Sequence, residues 1–475
     1  MSRSKKIIIF FGLAAIFVLG LATNFLGSLV WGMLLLFAAA VFFYFYPEPG
    51  FYALVAYLPF QLALNLSADV DLMSGRLLIL LLPAAWLLRA IKEKKQYLFD
   101  SHISLALMLF FAVSLLSVFV AQNPGWGLRK ILFFLTLFPL FFLTRVFIQN
   151  RAQVKKLIVL LVGTAASSAV LALGQFLAQF IFGVQEVANF LGQSIAPRFW
   201  GVNFGQLVTQ NPSWYVSING QTLMRAIGLF PDPHMLSFFL GLTSPLVLVL
   251  AAGVRKKRLL LSAIYCLMFA VLVLTFSRGG YLGLILSVLA MAFLAWPRLG
   301  RPAKTFLFSV GLLVVTFLFI FGATVTSRLF SSFDTAEGSN VGRLAIWRQS
   351  LAQAGKNPFL GVGLGNYPLA INFNEDYRSA VTSHSLYLDL LAETGIFGLA
   401  AWLWFIVAAG RDALRSVKTP TFFTAALAIG IFGSLAYFSL HAFFETPIFN
   451  VTVLAFLMIV AGLAANLNKI EKSEN

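Results

Sequence analysis

Apolar residues fill this chain in runs of about 20, broken by short polar stretches, from one end to the other. As helices, such runs can cross a hydrocarbon layer of about 30 Å. Helix starts are expected near Ile7, Phe25, Phe51, Arg76, His102, Leu128, Leu157, His234, Leu259, Tyr281, Thr305, Thr394, Thr421 and Ile448. The runs near Phe51 and Arg76 are the shortest. No segment alternates apolar and polar positions as the strands of a membrane barrel do. The pattern predicts an all-α polytopic membrane protein with about 12–14 transmembrane helices, forming one integral membrane domain over residues 1–475.

Two long stretches interrupt the pattern. Residues 183–233 are rich in Asn, Gln, Trp and Pro, and residues 327–393 are the most polar part of the chain. Loops of this length in a compact protein are usually functional or disordered. In the second, SNVGRLAIWRQSLAQAG sets Leu344, Trp347 and Leu351 at helical spacing, which predicts a short amphipathic helix at the membrane surface. The N-terminus, MSRSKKIIIFFGLAAIFVLGLA, starts like a signal peptide. A second apolar run follows at once without a small-residue cleavage site, so it reads as an uncleaved first helix. There is no clear internal repeat of the kind that builds transporters from inverted halves.

Composition agrees: 60% of residues are hydrophobic, 51 of them Phe, against roughly 45–50% apolar in soluble domains. The net charge of +17 raises nucleic-acid binding as a function, and its distribution removes it. With the N-terminus inside, about 23 of the 34 basic residues fall in inner loops, together with only six acids: Glu48, Glu93, Asp100, Asp412, Glu471 and Glu474. The excess is a topology signal. Both termini are then cytoplasmic, and both long loops lie on the outer face. The single cysteine, Cys266, sits in an apolar run and offers neither an intrachain disulfide nor a thiol metal site.

Ionisable groups at apolar spans are functional candidates because they are costly there. Arg278, in LTFSRGGYLGL, stands at a tight turn between two apolar runs. It is either an interfacial arginine that snorkels to water or an anion site, since a guanidinium presents donors matched to phosphate. Arg225, in MRAIGLFPDPHMLSFFL, precedes another span at the same face. Two such arginines would suit a lipid diphosphate. His384 opens SHSLYLDLLAETGIFGL. On a helix, Asp389 would point about 140° away from it and Glu393 nearly opposite, so the local sequence supplies no His–Asp dyad. GVGLGNYP (361–368) lacks the Lys-Ser/Thr ending of a phosphate loop and no strand precedes it, so it reads as an ordered turn. Asp69 and Asp71 form a D-x-D pair that could hold a divalent metal or simply face solvent.

Three stretches, RAIGLFPDPHMLSFFL, FSRGGYLGL, and GRLAIWRQSLAQAGKNPFLGVGLGNYP followed by SHSLYLDLLAETGIFGL, resemble the O-antigen ligase and polymerase superfamily, which includes related protein O-oligosaccharyltransferases. The likeness runs from about Leu157 to Gly410. It departs at Ser385, where relatives often carry Asn after the histidine, and at His234, where they often carry Pro-Asn. The resemblance implies a GT-C-like, inverting glycosyltransferase at the outer face of the inner membrane, without a metal or other cofactor. The donor would be an undecaprenyl-diphosphate-linked glycan, and the acceptor lipid A core (ligase) or another lipid-linked glycan (polymerase); a protein acceptor is a third case. By the same resemblance His384 acts on the acceptor hydroxyl, and Arg225, Arg278 and Arg343 bind the diphosphate. Asp389 and Glu393 are left to fix the outer loop to the bundle. A lipid-linked-sugar transporter, and a metal-dependent glycosyltransferase using Asp69 and Asp71, are the competing readings.

Overall fold

Proline and asparagine punctuate the helices of this protein. Pro47, Pro124, Pro139 and Pro233 stand at first helical positions, where the missing N–H is no loss. Asn123, Asn150 and Asn450 cap helix starts through their side chains. The computed structural model of the chain describes residues 28–67, 70–92, 101–218, 220–253, 257–298, 300, 338–375 and 382–473. The spans expected near Ile7 and Thr305, and Asp69 of the D-x-D pair, lie outside these residues.

The order is α1 (Ser28–Phe45), α2 (Pro47–Tyr57), hairpin β1 (Ala63–Ser67) and β2 (Val70–Met73), α3 (Ser74–Lys92), α4 (His102–Ser117), α5 (Pro124–Leu137), α6 (Pro139–Phe147) and α7 (Arg151–Phe182). Then follow α8 (Val184–Phe190), α9 (Val202–Thr209), hairpin β3 (Tyr215–Ile218) and β4 (Gln221–Met224), α10 (Pro233–Gly253), α11 (Arg258–Leu274) and α12 (Arg278–Ala295). The chain closes with α13 (Gly338–Lys356), α14 (Tyr367–Ile371), α15 (Leu386–Val417), α16 (Phe422–His441) and α17 (Val451–Lys472).

Among the described residues, seven helices or helix pairs are long and apolar enough to cross a membrane: His102–Val120, Pro124–Phe147, Arg151–Phe182, Arg278–Ala295, Leu386–Val417, Phe422–His441 and Val451–Lys472. Shorter apolar helices at Leu35–Phe45, Ser74–Leu88, Pro233–Leu248 and Arg258–Leu274 accompany them. The protein is an all-α polytopic membrane protein. The run near Phe51 gives only an 11-residue helix, about 16 Å long at 1.5 Å per residue, too short to be the span expected there. The span expected at Thr394 begins where Gly395 (φ 65°, ψ −167°) breaks α15 into a short segment and a long one.

Helix α17 is the innermost, packed between α6, α15 and α16. Lipid tails are as apolar as leucine, so close packing rather than water exclusion holds such helices together. Gly283 of α12 lets the Tyr437 carbonyl of α16 approach: a Cβ there would sit 2.9 Å from that oxygen. Gly433 likewise faces Met291, so a Cβ would meet its sulfur at 2.5 Å. This tight α12–α16 seam brings Ser277, at the start of α12, against His441, at the end of α16.

The starts of α10, α12 and α15 and the ends of α7, α11 and α16 share one end of the bundle. Basic residues Arg151, Lys155, Arg258, Arg411, Arg415, Lys418 and Lys469 occupy the opposite ends of these helices and of α17.

Candidate functional site

The segment after α7 is ordered by tryptophan. Trp214 is fully buried and Trp200 nearly so; the rings meet edge to face at 5.7 Å in a small core with Val187, Leu191 and Met224. Their indole N–H groups donate to the carbonyls of Pro231 and Leu229, both at 2.9 Å. Gln175 and Gln179, one turn apart on α7, clamp the backbone of residues 224–227: Gln179 Oε1 accepts from Met224 N at 2.8 Å and Gln175 Oε1 from Ile227 N at 2.9 Å. Arg225 and His234 are thereby fixed at the bundle end before any ligand arrives.

Arg225 is buried. Its Nε donates to the Thr275 carbonyl at 2.6 Å and its Nη1 to the Ser213 carbonyl at 2.9 Å, while Nη2 lies 3.5 Å from His234 Nε2. Asp232 accepts from the His234 backbone N–H at 2.6 Å and from Ser213 Oγ at 2.8 Å, which orients the imidazole. His234 Nδ1 is 2.9 Å from Ser277 Oγ, and Ser277 Oγ is 3.0 Å from His441 Nε2. His441 is fully buried and stacks on Phe238 with ring centroids 3.7 Å apart. Arg278 is half-buried, one residue beyond Ser277 at the first position of α12.

The second polar stretch approaches from the other side. His384 stands outside the helix, two residues before Leu386, with φ +51°. Among the described residues, the only other non-glycine with positive φ is Phe276, adjacent to Ser277. Left-handed backbone at such residues persists only where the surroundings impose it, and it clusters at functional sites. Here the surroundings are clear. Asp389 accepts from Ser383 N at 2.8 Å and from the Thr446 hydroxyl. Trp347 Nε1 donates to the Ser383 carbonyl at 3.0 Å, and Leu386 N to the Ala442 carbonyl at 2.9 Å.

His384 and Arg343 converge on Glu445, in the turn after α16. Glu445 Oε2 is 3.3 Å from His384 Nδ1, and Oε1 accepts from Arg343 Nη2 at 3.0 Å and lies 3.6 Å from His234 Nε2. The Glu445 side chain is 12% exposed and that of His384 43%. One carboxylate thus joins four separate parts of the chain. The hydrogen bond to Glu445 raises the His384 pKa above the ordinary value of 6.5 against the opposing effect of burial. Burial alone would raise the Glu445 carboxyl. Charges and hydrogen bonds from His234, His384 and Arg343 outweigh it and hold that carboxyl below the usual carboxylate range.

The four residues named from the sequence therefore fall at one end of the bundle. His384 and Arg343 meet at Glu445, Arg225 meets His234, and Arg278 adjoins Ser277. The sequence reading passed over Glu445, Ser277 and His441, and noted His234 only as a departure from relatives. Two of them sit in HAFFETP, a histidine and a glutamate at the end of an apolar span, the same signal that marked Arg278. The amphipathic helix exists as α13, yet its inward face differs from the expected one. Arg343, Trp347, Ser350 and Ala354 turn inward, the first two to Glu445 and the Ser383 carbonyl, whereas Leu344 and Leu351 stay exposed at 37% and 53%.

The other acids serve the scaffold. Glu393 accepts from Lys130 Nζ through both oxygens at 2.9 Å. GVGLGNYP is an ordered loop packed on α4 and α5: Leu364 N donates to Ser117 Oγ at 3.2 Å and Asn366 Oδ1 accepts from Asn123 N at 2.7 Å. Asp71 Oδ2 accepts from Asn203 N and Phe204 N, at 2.9 and 3.0 Å, at the start of α9. A cavity of about 620 Å³ between α15 and α16, edged by Arg411, Arg415 and Lys418, includes none of the site residues in its lining.

Residues 263–403 match the family model described as O-Antigen ligase. The matched stretch contains Ser277, Arg278, Arg343 and His384. No curated protein matches the chain.

Proposed function

We propose that this chain, whose residues 263–403 belong to the O-antigen ligase superfamily, transfers a glycan from undecaprenyl diphosphate to a hydroxyl of lipid A core at the outer face of the inner membrane. The observation that carries this reading is a half-exposed imidazole, His384, bound through Nδ1 to a carboxylate that Arg343 shares, at one end of a helical bundle. That is the equipment for drawing a proton from a hydroxyl beside an anionic leaving group.

In the proposed reaction the acceptor oxygen attacks the anomeric carbon opposite the diphosphate, and the configuration inverts. The new C–O bond forms as the bond from the anomeric carbon to the phosphate oxygen breaks, and the diphosphate leaves with that electron pair. His384 Nε2 takes the hydroxyl proton, a contribution of about 10²–10⁴ in rate, and Glu445 stabilises the imidazolium. Arg343 and Arg278 hold the diphosphate as its charge develops. Arg225 is tied to two backbone carbonyls and acts from behind as a fixed positive charge. With the basic helix ends in the cytoplasm, the site faces outward, where a lipid-linked glycan is presented.

The test is the glycan profile of envelopes from cells lacking the protein, complemented by wild type or by His384→Ala. Long chains retained on undecaprenyl diphosphate, with bare lipid A core in both the null and the variant, support the ligase. Core bearing a single repeat without a ladder assigns the protein as a polymerase of the same chemistry. Full complementation by His384→Ala overturns the mechanism.

A further inference from the structure

We propose that the groove between α15 and α16 binds an anionic phospholipid, with the headgroup phosphate held by Arg411, Arg415 and Lys418 and an acyl chain lying along the apolar walls. This site is separate from the transfer reaction and does not depend on it. Helix α15 is 32 residues long, about 48 Å at 1.5 Å per residue. His384 precedes its start and Lys418 follows its end.

The helix period builds the groove. Val407, Arg411, Leu414, Arg415 and Lys418 are spaced three or four apart along one face of α15. Val407 and Leu414 are 63% and 40% exposed, although they belong to a membrane-spanning helix whose other face packs on α4. Small residues open the space between the helices. A Cβ on Gly410 would meet only Phe432, at 3.8 Å, and Ala436 fills little of the wall on α16. The resulting cavity of about 620 Å³ lies within the range of about 300–1,000 Å³ that takes small ligands. It follows α15 from Ile406 to Lys418, about 18 Å, slightly more than one leaflet of a hydrocarbon core about 30 Å thick.

Polarity selects the occupant. The three cations lie toward the end of the groove farthest from His384, and Ile406, Phe432 and Leu435 form walls beyond them. Among the described residues, none of the three makes a side-chain hydrogen bond or salt bridge. Other basic residues at this end of the bundle are engaged. Arg151 and Lys155 lie over the Phe423 ring at 4.9 and 5.6 Å, Lys156 lies over Tyr52 at 3.8 Å, and Arg258 Nε donates to the Ala251 carbonyl at 3.3 Å. The groove mouth therefore differs from the general excess of basic residues around it.

Two acids stand nearby, and neither lines the groove. Asp412 lies about 100° round the helix from Arg411, and its charge is shared among Arg415, His102, Arg411 and Arg145. Glu471 accepts from the Thr419 hydroxyl. The mouth stays cationic. A phosphodiester with apolar tails matches this polarity: guanidinium groups offer paired donors to phosphate oxygens, and basic pockets between membrane helices recognise anionic headgroups. A zwitterionic lipid brings an ammonium group to the same three cations and loses the net attraction. An apolar helix from a second copy would leave the three charges unmatched.

The test titrates phosphatidylglycerol or phosphatidylcholine into the full chain in detergent and counts retained lipid by native mass spectrometry. Wild type is expected to hold phosphatidylglycerol on the order of tenfold more tightly. Each cation near an anionic headgroup contributes about fivefold. Neutralising all three, by Arg411→Gln, Arg415→Gln and Lys418→Gln together, should lower phosphatidylglycerol affinity on the order of a hundredfold. Arg411→Lys with Arg415→Lys keeps the charge and should keep most of the preference. Gly410→Leu fills the groove without touching its charge and should abolish the preference. Arg258→Gln removes a charge outside the groove and should change nothing. Equal retention of the two lipids by wild type, or an unchanged preference in the triple variant or in Gly410→Leu, overturns the site. So does a loss in Arg258→Gln as large as that from Arg411→Gln alone, the mark of diffuse surface attraction. A photoreactive residue in place of Val407 checks the occupant: it should join to lipid, whereas a cross-link to a second copy, or to the chain's own span expected near Thr305, overturns the proposal.

Discussion

Glu393 and Glu445 stand at the same end of the bundle, and both are largely removed from water. Glu393 is 3% exposed and gives both oxygens to a single lysine, which also lies 4.0 Å over the Phe449 ring. Glu445 is 12% exposed and divides its oxygens among an arginine and two imidazoles drawn from three different segments. The first arrangement is closed: every strong partner is already in place, and what it does is pin α15 to α5. The second is open on one side, because His384 carries a free flank to the surface. A buried charge satisfied by one fixed counter-ion stabilises a shape. One held by titratable groups, with an exposed member among them, can store and move a proton.

The comparison breaks first at His384. His384→Ala is expected to reduce transfer by about 10²–10⁴ with little change in thermal unfolding, measured with purified protein, lipid-diphosphate glycan and acceptor. Lys130→Met should do the reverse. It strands the Glu393 charge and costs about 3 kcal/mol, read as a lower unfolding temperature, while the pH profile of the remaining folded enzyme stays in place.

That profile is itself a prediction. The Glu445 hydrogen bond raises the His384 pKa, so imidazolium persists above the ordinary histidine value. Activity should rise with pH through that elevated pKa, and kcat/KM measured across pH will show an acid limb above about 6.5. Replacing Glu445 by Gln should lower the limb and the plateau together, since the base loses both its orientation and its counter-charge.

The smallest effect is expected at Asp71. Its carboxylate takes two backbone N–H groups at the start of α9, the task of a helix cap. Asp71→Ala should cost about 1 kcal/mol and leave transfer unchanged. Lost transfer in that variant, restored by added divalent metal, would instead favour the metal-dependent reading of the D-x-D pair.

Periodicity alone made the membrane class legible, because a helix that faces lipid must be apolar over its whole crossing length, and such runs are visible without partners. Three of the candidates that meet at one bundle end, Arg225, Arg278 and His384, were also legible in the residues themselves, and Arg343 entered only through the family resemblance. An arginine between apolar runs, or a histidine at the mouth of one, is conspicuous where charge is scarce. His384 and Asp389 form no dyad, as expected, although His384 stands outside the helix on which that expectation placed it, and the Asp389 carboxylate turns to Ser383 and Thr446.

What the linear chain could not give is the company those residues keep. Glu445 lies 61 positions beyond His384 and 102 beyond Arg343, and no helical period relates such distances. The inward face of α13 was equally beyond reach. Its leucines and its Arg343–Trp347–Ser350 stripe are both plausible seams, and the choice fell to the second only because Ser383, Tyr367 and Glu445 offered hydrogen bonds there. The sequence by itself determined that this chain crosses a membrane many times and carries scarce, edge-placed charges. Tertiary structure alone decided which of those charges face one another, because hydrogen bonds of about 3 Å are set by how helices pack and not by their order along the chain.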